Sequence, residues 1–187
     1  MGSSSAVRTG ATLRSARLVL GAFVLSDAEE LQRLAGDREI ADTTLMIPHP
    51  YELDHALAWI GNQRKESARG RAINFAVRLA RDDRLIGCVG LRDIDHEHGQ
   101  AELGFWMGRD YWGQGYTSEA AAAVIRYGFD QLGLNRICAH HMARNPAAGK
   151  VLQKLGMKRE GLMRQRVRKW GVYEDVIVYA VLRDDLS

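Results

Sequence analysis

The residues from Leu103 to Ala123 hold the strongest chemical signal in the chain. An apolar strand-like segment runs into Tyr111-Trp-Gly-Gln-Gly-Tyr-Thr-Ser118, and an alanine-rich helix follows. A glycine turn at a helix start aims backbone N–H groups at one point, at the positive end of the helix dipole. The natural occupant is a phosphate or pyrophosphate. Gly113 and Gly115 let such an anion approach the main chain closely, because no side chain intervenes. The P-loop string Gly-x-x-x-x-Gly-Lys-Ser/Thr does not occur. The Rossmann fingerprint also fails, since Gly113-Gln114-Gly115 is followed by Tyr-Thr-Ser and lacks the third glycine.

Other reactive side chains carry weaker signals. Asp93, Asp95, His96, Glu97 and His98 resemble a metal cluster by composition alone and read as a solvated turn, so no metal is expected. Cys88 and Cys138 lie in separate apolar segments, with no metal-ligand spacing and no activating partner for Cys138. They suit a reduced, cytoplasmic protein. His140 and His141 are adjacent on one apolar segment, so as strand residues they point to opposite faces. Arg164, Arg166 and Arg168 alternate and are expected along one strand face, as an edge kept soluble by charge.

The elements that position these groups follow from periodicity. Arg17 to Val24 reads as a strand, and Ser26-Asp-Ala-Glu29 as a capping box for a helix burying Leu31, Leu34 and Ala35. Pro48 and Pro50 break the chain. Leu53, Ala56, Leu57 and Ile60 then mark an amphipathic helix to about Ala68. Strands are expected over 73–79, 85–91 and 101–107, the last leading into the glycine loop. A helix with Ala122, Ile125, Phe129 and Leu132 on one face follows, then a strand over 136–142. Asn145-Pro146 opens another helix, with Asn as N-cap and Pro at the first position, and Gly156 stops it. Two strands, 157–169 and 172–182, close the chain around Trp170-Gly171. The second is apolar on both faces and belongs in a sheet interior. The order β-α-α-β-β-β-α-β-α-β-β makes an α/β domain with one mixed sheet and helices on both faces.

The 187 residues suit a single domain, with 46% hydrophobic and 26% charged residues in the ordinary globular range. No apolar run approaches a membrane span. Residues 1–11 read as a small, polar, flexible lead, and the domain occupies 12–187. A net charge of +3 permits an anionic ligand without arguing for specific nucleic-acid binding.

Three stretches together resemble the GNAT-fold N-acetyltransferases, in the branch of the RimJ/RimL ribosomal-protein N-terminal acetyltransferases. Ala101-Glu-Leu-Gly-Phe-Trp106 with Tyr111 to Ala120 looks like that family's acetyl-CoA strand and pyrophosphate loop. Asn145-Pro-Ala-Ala-Gly-Lys-Val-Leu-Gln-Lys-Leu-Gly-Met157 resembles the helix beside the pantetheine arm. Thr12 to Leu20 and Gly171 to Tyr179 fit the same branch. The resemblance implies a GNAT fold: about seven strands, mostly antiparallel, with a bulge that splays two parallel neighbours to hold acetyl-CoA. Main-chain groups of Phe105, Trp106 and Met107 would pair with the pantetheine amides. The loop residues Trp112, Gly113, Gln114, Gly115, Tyr116, Thr117 and Ser118 would hold the pyrophosphate. Asn145 would touch the pantetheine arm, or simply cap its helix, and Lys150 would reach a CoA phosphate or lie in solvent. Members of the family often form homodimers.

Two positions depart from that pattern. The family's proton donors to the CoA thiolate stand three and seven residues after the Asn, where this chain has Ala148 and Leu152. For acetyl transfer the first candidate base is Glu102, on the strand leading to the loop; a cross-strand Arg partner would instead make it structural. His141 is the candidate relay in the acceptor cleft. An α-amine, with a pKa near ~8 against ~10.4 for lysine, suits so sparse a site best. The expected acceptor is a protein N-terminus. The alternatives are a small amine (polyamine, amino acid or aminoglycoside) or a non-catalytic acyl-CoA-binding sensory module. The acceptor pocket is expected between the loop around Ile40 to Tyr51 and the closing hairpin, where Trp59, Trp170 and Tyr173 either line it or pack.

Overall fold

The computed structural model describes residues 10–186, so the expected N-terminal lead falls almost wholly outside the described residues. The chain order is β1 (Leu13–Arg14), β2 (Leu18–Gly21), α1 (Ala28–Ala35), α2 (Arg38–Thr43), α3 (Leu53–Ala68), β3 (Ile73–Leu79), β4 (Leu85–Asp95), β5 (Gln100–Met107), α4 (Tyr116–Asp130), β6 (Arg136–Met142), α5 (Pro146–Lys154), β7 (Lys158–Lys169) and β8 (Val172–Leu182). The strands form one sheet in the order β1-β2-β3-β4-β5-β6-β8-β7. Every pairing is antiparallel except β5 with β6. This is the GNAT fold, with eight strands where about seven were expected. The additional strand, β1, has two residues, too few to show a period of two.

Each face of the sheet carries its own core. On one face, α4 and α5 cover a cluster that includes Leu91, Leu103, Val124, Ile137, Leu152 and Tyr179. On the other, α1 and α3 enclose Leu31, Leu34, Ala56, Ile60, Ala76 and Cys88, with Trp59 and Trp106 packed against them. The strip of α3 that makes contact is narrower than its apolar stripe: Ala56 and Ile60 are buried, while Leu53 and Leu57 remain exposed. β8 lies between β6 and β7, as its apolar faces require, and Trp170 and Gly171 turn the closing hairpin with φ of 48° and 86°.

Local details depart from expectation at two further places. Asp27, not Ser26, governs the entry to α1: its Oδ2 accepts from Val24 N at 2.9 Å, and its Oδ1 from Arg78 Nη2 at 2.5 Å. A short 3-10 turn over Leu25–Asp27 therefore precedes the helix. The arginines of β7 do not line one face. The register jumps between Met163 and Val167, Gln165 has φ of 48°, and its N–H donates to Asp175 Oδ1 at 2.8 Å. This bulge breaks the alternation that Arg164, Arg166 and Arg168 would need.

Candidate active site

The site begins where two strands part. β5 and β6 pair only at Gln100↔Arg136, Ala101↔Ile137 and Glu102↔Cys138. Beyond that point β5 stays paired with β4 as far as Met107↔Gly87, and β6 stays paired with β8 as far as Met142↔Val176. A V-shaped opening results, bounded by Leu103–Met107 on one side and Ala139–Met142 on the other. Each limb turns to the opening an edge that no neighbouring strand covers, and such an edge accepts an extended, amide-bearing group as an added strand. Phe105, Trp106 and Met107 lie on this limb; Phe105 packs toward the α4 side and Trp106 toward the α1/α3 side. The register shift in β4 lies between Arg92 and Asp95, with Asp93 at φ 49°, so the bulge precedes the opening and is not inside it.

The glycine loop closes the wide end of the V. Trp112 Nε1 donates to the Met107 carbonyl at 2.6 Å, which ties the loop to β5. Gln114 Nε2 donates to the Asp110 carbonyl at 2.8 Å. Gly113 and Gly115 have φ of 73° and 79°, left-handed values that favour glycine, and Gly115 caps α4. No side chain caps this helix end. The N–H groups of Tyr116, Thr117 and Ser118 thus stand at its positive pole as anion donors. Arg17 buttresses the turn. Its Nη1 donates to the Gln114 carbonyl at 3.0 Å, its Nε to Glu119 Oε2 at 2.7 Å, and its guanidinium lies 4.5 Å from the centre of the Tyr116 ring. Burial pushes the Glu119 carboxyl up, but hydrogen bonds from Ser15 and Arg17 outweigh it and hold the group below its usual range.

At the apex of the V, a charged cluster occupies the face that α1 and α3 share. Glu102 Oε1 accepts from Arg92, its cross-strand partner, through both Nη2 and Nε, the latter at 3.0 Å. The same oxygen lies 3.2 Å from His140 Nδ1, which reaches across from β6. Burial pushes the His140 imidazole below its usual pKa. Glu102 opposes that shift, and Arg92, Arg166 and His141 add to it. Gly104 lies between Glu102 and Trp106 on this face, and nothing stands within 4 Å of where its Cβ would be. The floor of the cleft is open at that point. Cys138 Sγ sits 3.5 Å from the Ala101 carbonyl, and burial pushes its thiol up, away from the thiolate a nucleophile needs.

His141, the expected relay, takes the other face of the sheet from Glu102. Ile137 and Ala139 are held in the α5-side core, so the odd positions of β6 point there and the even ones point to Glu102. His141 is buried, with Nδ1 2.8 Å from the Met142 carbonyl and its ring 5.7 Å from that of Tyr179. Its Nε2 is the one buried side-chain nitrogen or oxygen without a hydrogen-bond partner among the described residues, and it faces Gly149 of α5. Asn145 caps α5, its Oδ1 accepting from Ala148 N at 3.3 Å. Lys150 is exposed, and Leu152 is fully buried.

Two ties hold the segment around Asp42 and Thr44. Arg144, just after β6, donates to both carboxylate oxygens of Asp42, at 2.6 and 3.0 Å, and to Glu174 of β8 at 2.8 Å. Lys169 donates to the Thr44 carbonyl at 2.7 Å, and burial lowers its pKa against the pull of Asp42. Trp59 is a packing residue, edge-on to Phe23 at 4.9 Å. Trp170 and Tyr173 are half exposed, each beside a cation: Lys169 and Arg38 at Trp170, Arg168 at Tyr173. Asp95 accepts from the N–H groups of Glu97 and His98, at 2.9 and 3.0 Å, which makes its turn self-contained.

The acetyltransferase (GNAT) domain family matches residues 17–158, which contain the V, the loop and the charged cluster. The chain belongs to the GNAT acetyltransferase family. It is an N-acetyltransferase of that family, with acetyl-CoA as acetyl donor. An uncharacterized N-acetyltransferase, p20 of Bacillus licheniformis, is 34% identical over 176 residues, 94% of this chain and 98% of the relative. The ribosomal-protein-serine acetyltransferase of Escherichia coli is 30% identical over 116 residues, 62% of this chain and 64% of that protein. Among solved structures, the spermidine N-acetyltransferase of Vibrio cholerae, in complex with CoA and spermine, superposes with a TM-score of 0.80. It is 25% identical and covers 92% of this chain and all of its own length (100%).

The cross-strand Arg partner weighed for Glu102 is Arg92, and the histidine beside Glu102 is His140, which the sequence did not single out. The adjacency of His140 and His141 carried half of the signal, since one of them must face Glu102. The strand register decides which.

Proposed function

We propose that this acetyltransferase delivers its acetyl group to a protein N-terminal α-amine by direct attack on the thioester. The observation that carries this reading is the parting of β5 and β6 beside Glu102, with the anion loop at its wide end. Acetyl-CoA laid along Phe105, Trp106 and Met107, with its pyrophosphate on the loop from Trp112 to Ser118, brings its thioester toward the apex. Asn145 and Lys150 flank the pantetheine and phosphate ends. An amine entering from the α1/α3 face meets the carbonyl carbon over the open floor at Gly104. Fixing two reactants in this way supplies much of the rate. Glu102 serves removal of the amine proton through the group beside it, while His141 lies across the sheet from that step.

The chemistry of the acceptor supports an α-amine. With a pKa near ~8, a substantial fraction is already neutral at physiological pH, whereas a lysine side chain near ~10.4 is almost wholly charged. The Escherichia coli relative supports the same choice. The Vibrio cholerae neighbour supports the runner-up, a small polyamine. Ala148 and Leu152 favour a third reading, an acyl-CoA sensor, because neither side chain can protonate the thiolate. We place the protein in the cytoplasm, where Cys88 and Cys138 stay as free thiols.

The test is CoA thiol release from acetyl-CoA with peptide N-termini, polyamines, amino acids and aminoglycosides. Fastest release with peptides bearing a free α-amine is expected, and blocking that amine should abolish it. Fastest release with spermidine or an aminoglycoside would overturn the choice of acceptor. Tight acetyl-CoA binding without release across the panel would favour the sensor.

A further inference from the structure

Glu102 is poorly placed to take a proton by itself. Its Oε1 already accepts two N–H groups of Arg92, and His140 Nδ1 lies 3.2 Å from that same oxygen. We propose that His140 is the catalytic base, its Nε2 taking the proton of the attacking amine while Glu102, at Nδ1, is its positioning residue. The inference rests on the acetyltransferase reading of the same site.

The geometry supplies each part. His140 stands on β6 two residues beyond the last β5–β6 pair, where the strands have begun to part. His140 Nδ1 lies 3.2 Å from Glu102 Oε1, and a proton held on Nδ1 toward that carboxylate leaves the Nε2 lone pair free. Arg92 anchors Glu102 from β4, so the carboxylate cannot swing away. The charged groups facing the ring are Glu102 from β5, Arg92 from β4 and Arg166 from β7, and its chain neighbour His141 acts on it from across the sheet. Burial and the two arginines favour the neutral ring, the form that accepts a proton. The ring is still 27% exposed, so an acceptor can reach it.

The step balances without a further reactant. The amine nitrogen forms a bond to the thioester carbonyl carbon, and its proton passes to His140 Nε2. The carbon–sulfur bond breaks, and the electron pair leaves with sulfur as the CoA thiolate. Glu102 balances the imidazolium charge. The imidazolium then loses its proton to solvent, and the thiolate takes one from water.

His140→Gln, Glu102→Gln and the double variant test the pair in the full chain, with acetyl-CoA affinity as the control for fold and cofactor site. General-base catalysis contributes typically about 100- to 10,000-fold. Each single variant should lose about 100-fold or more in kcat/KM for the amine, mostly in kcat, and bind acetyl-CoA as the parent does. The double variant should be little worse than either single one, because the two residues act as a unit. On the unsubstituted protein, nitrogen-15 spectra of the histidines, assigned through the backbone, should show neutral His140 with its proton on Nδ1. An active parent with His140→Gln equally active overturns this proposal alone, as does His140 found protonated on Nε2. So do single-variant losses that multiply in the double variant. An inactive parent that binds acetyl-CoA overturns the reading of function, and this step with it.

Discussion

Gly104→Val should stabilise the protein and inactivate it. Gly104 lies in β5 on the face shared with Glu102 and Trp106, and nothing approaches within 4 Å of its absent Cβ. The neighbouring glycines behave differently. A Cβ at Gly90, its cross-strand partner, would fall 2.2 Å from Asn74 Oδ1 and 2.5 Å from the Ile73 carbonyl. One at Gly87 would fall 2.5 Å from the Trp106 carbonyl. Packing therefore explains those two glycines but not Gly104. A strand glycine forfeits roughly 0.5–1 kcal/mol against alanine, and a β-branched side chain adds to that on a pleated surface. Gly104→Val should gain about 1 kcal/mol, a rise of roughly 2–4 °C in Tm for a chain of this length. The new isopropyl group would stand where amine and thioester must meet. A displacement of about 1 Å can cost on the order of 100-fold in rate, so a loss at least that large is expected. Calorimetry and thiol-release kinetics on the same preparation read both effects. A variant that is markedly destabilised, or one that transfers acetyl at the parent rate, refutes the placement of the acceptor floor.

Further predictions follow the same geometry. Gly115→Ala forces a side chain onto a left-handed φ of 79°, at a cost of about 1–2 kcal/mol; the thermal shift caused by acetyl-CoA should shrink while that caused by an acceptor alone does not. Arg92→Leu removes a charge that lowers the His140 pKa, so that pKa rises. A base works in its neutral form, and the acid limb of kcat/KM against pH should therefore move to higher pH. Stability has its own sign. The folded His140 pKa lies below the unfolded value of 6.5, so this group's stabilising contribution is full above pH ~6.5 and declines as pH falls from there toward the folded value. His140→Gln should flatten that part of a pH–stability curve. Gly149→Ala places a Cβ 2.8 Å from His141 Nε2 and 3.6 Å from the Tyr179 hydroxyl; overpacking of this kind costs about 1–3 kcal/mol and should appear as a lower Tm.

Long periodic elements were readable from residue order. α3, β3, β6 and β8 keep their expected limits, and Asn145-Pro146 starts α5. The loop was readable because glycines at positive φ and an adjacent helix start are local features. Short elements were not. β1 and α2, of two and six residues, carry too few positions for a period. Register-dependent facts were out of reach for a different reason. Arg92 opposes Glu102 only because the β4 bulge at Asp93 falls beyond it, and nothing in the residue order counts that extra residue. The choice between His140 and His141 depends likewise on which parity of β6 packs under α5. The alternation of Arg164, Arg166 and Arg168 misled because the bulge at Gln165 is tied to Asp175, a partner on another strand.

The most direct test of the central claim is amide hydrogen exchange with and without acetyl-CoA. Added protection is expected along Leu103–Met107 and over Gly113–Ser118, with little change in β1 to β3. Saturating acetyl-CoA that leaves both segments exchanging as before would contradict the claim that the cofactor lies in the V between β5 and β6.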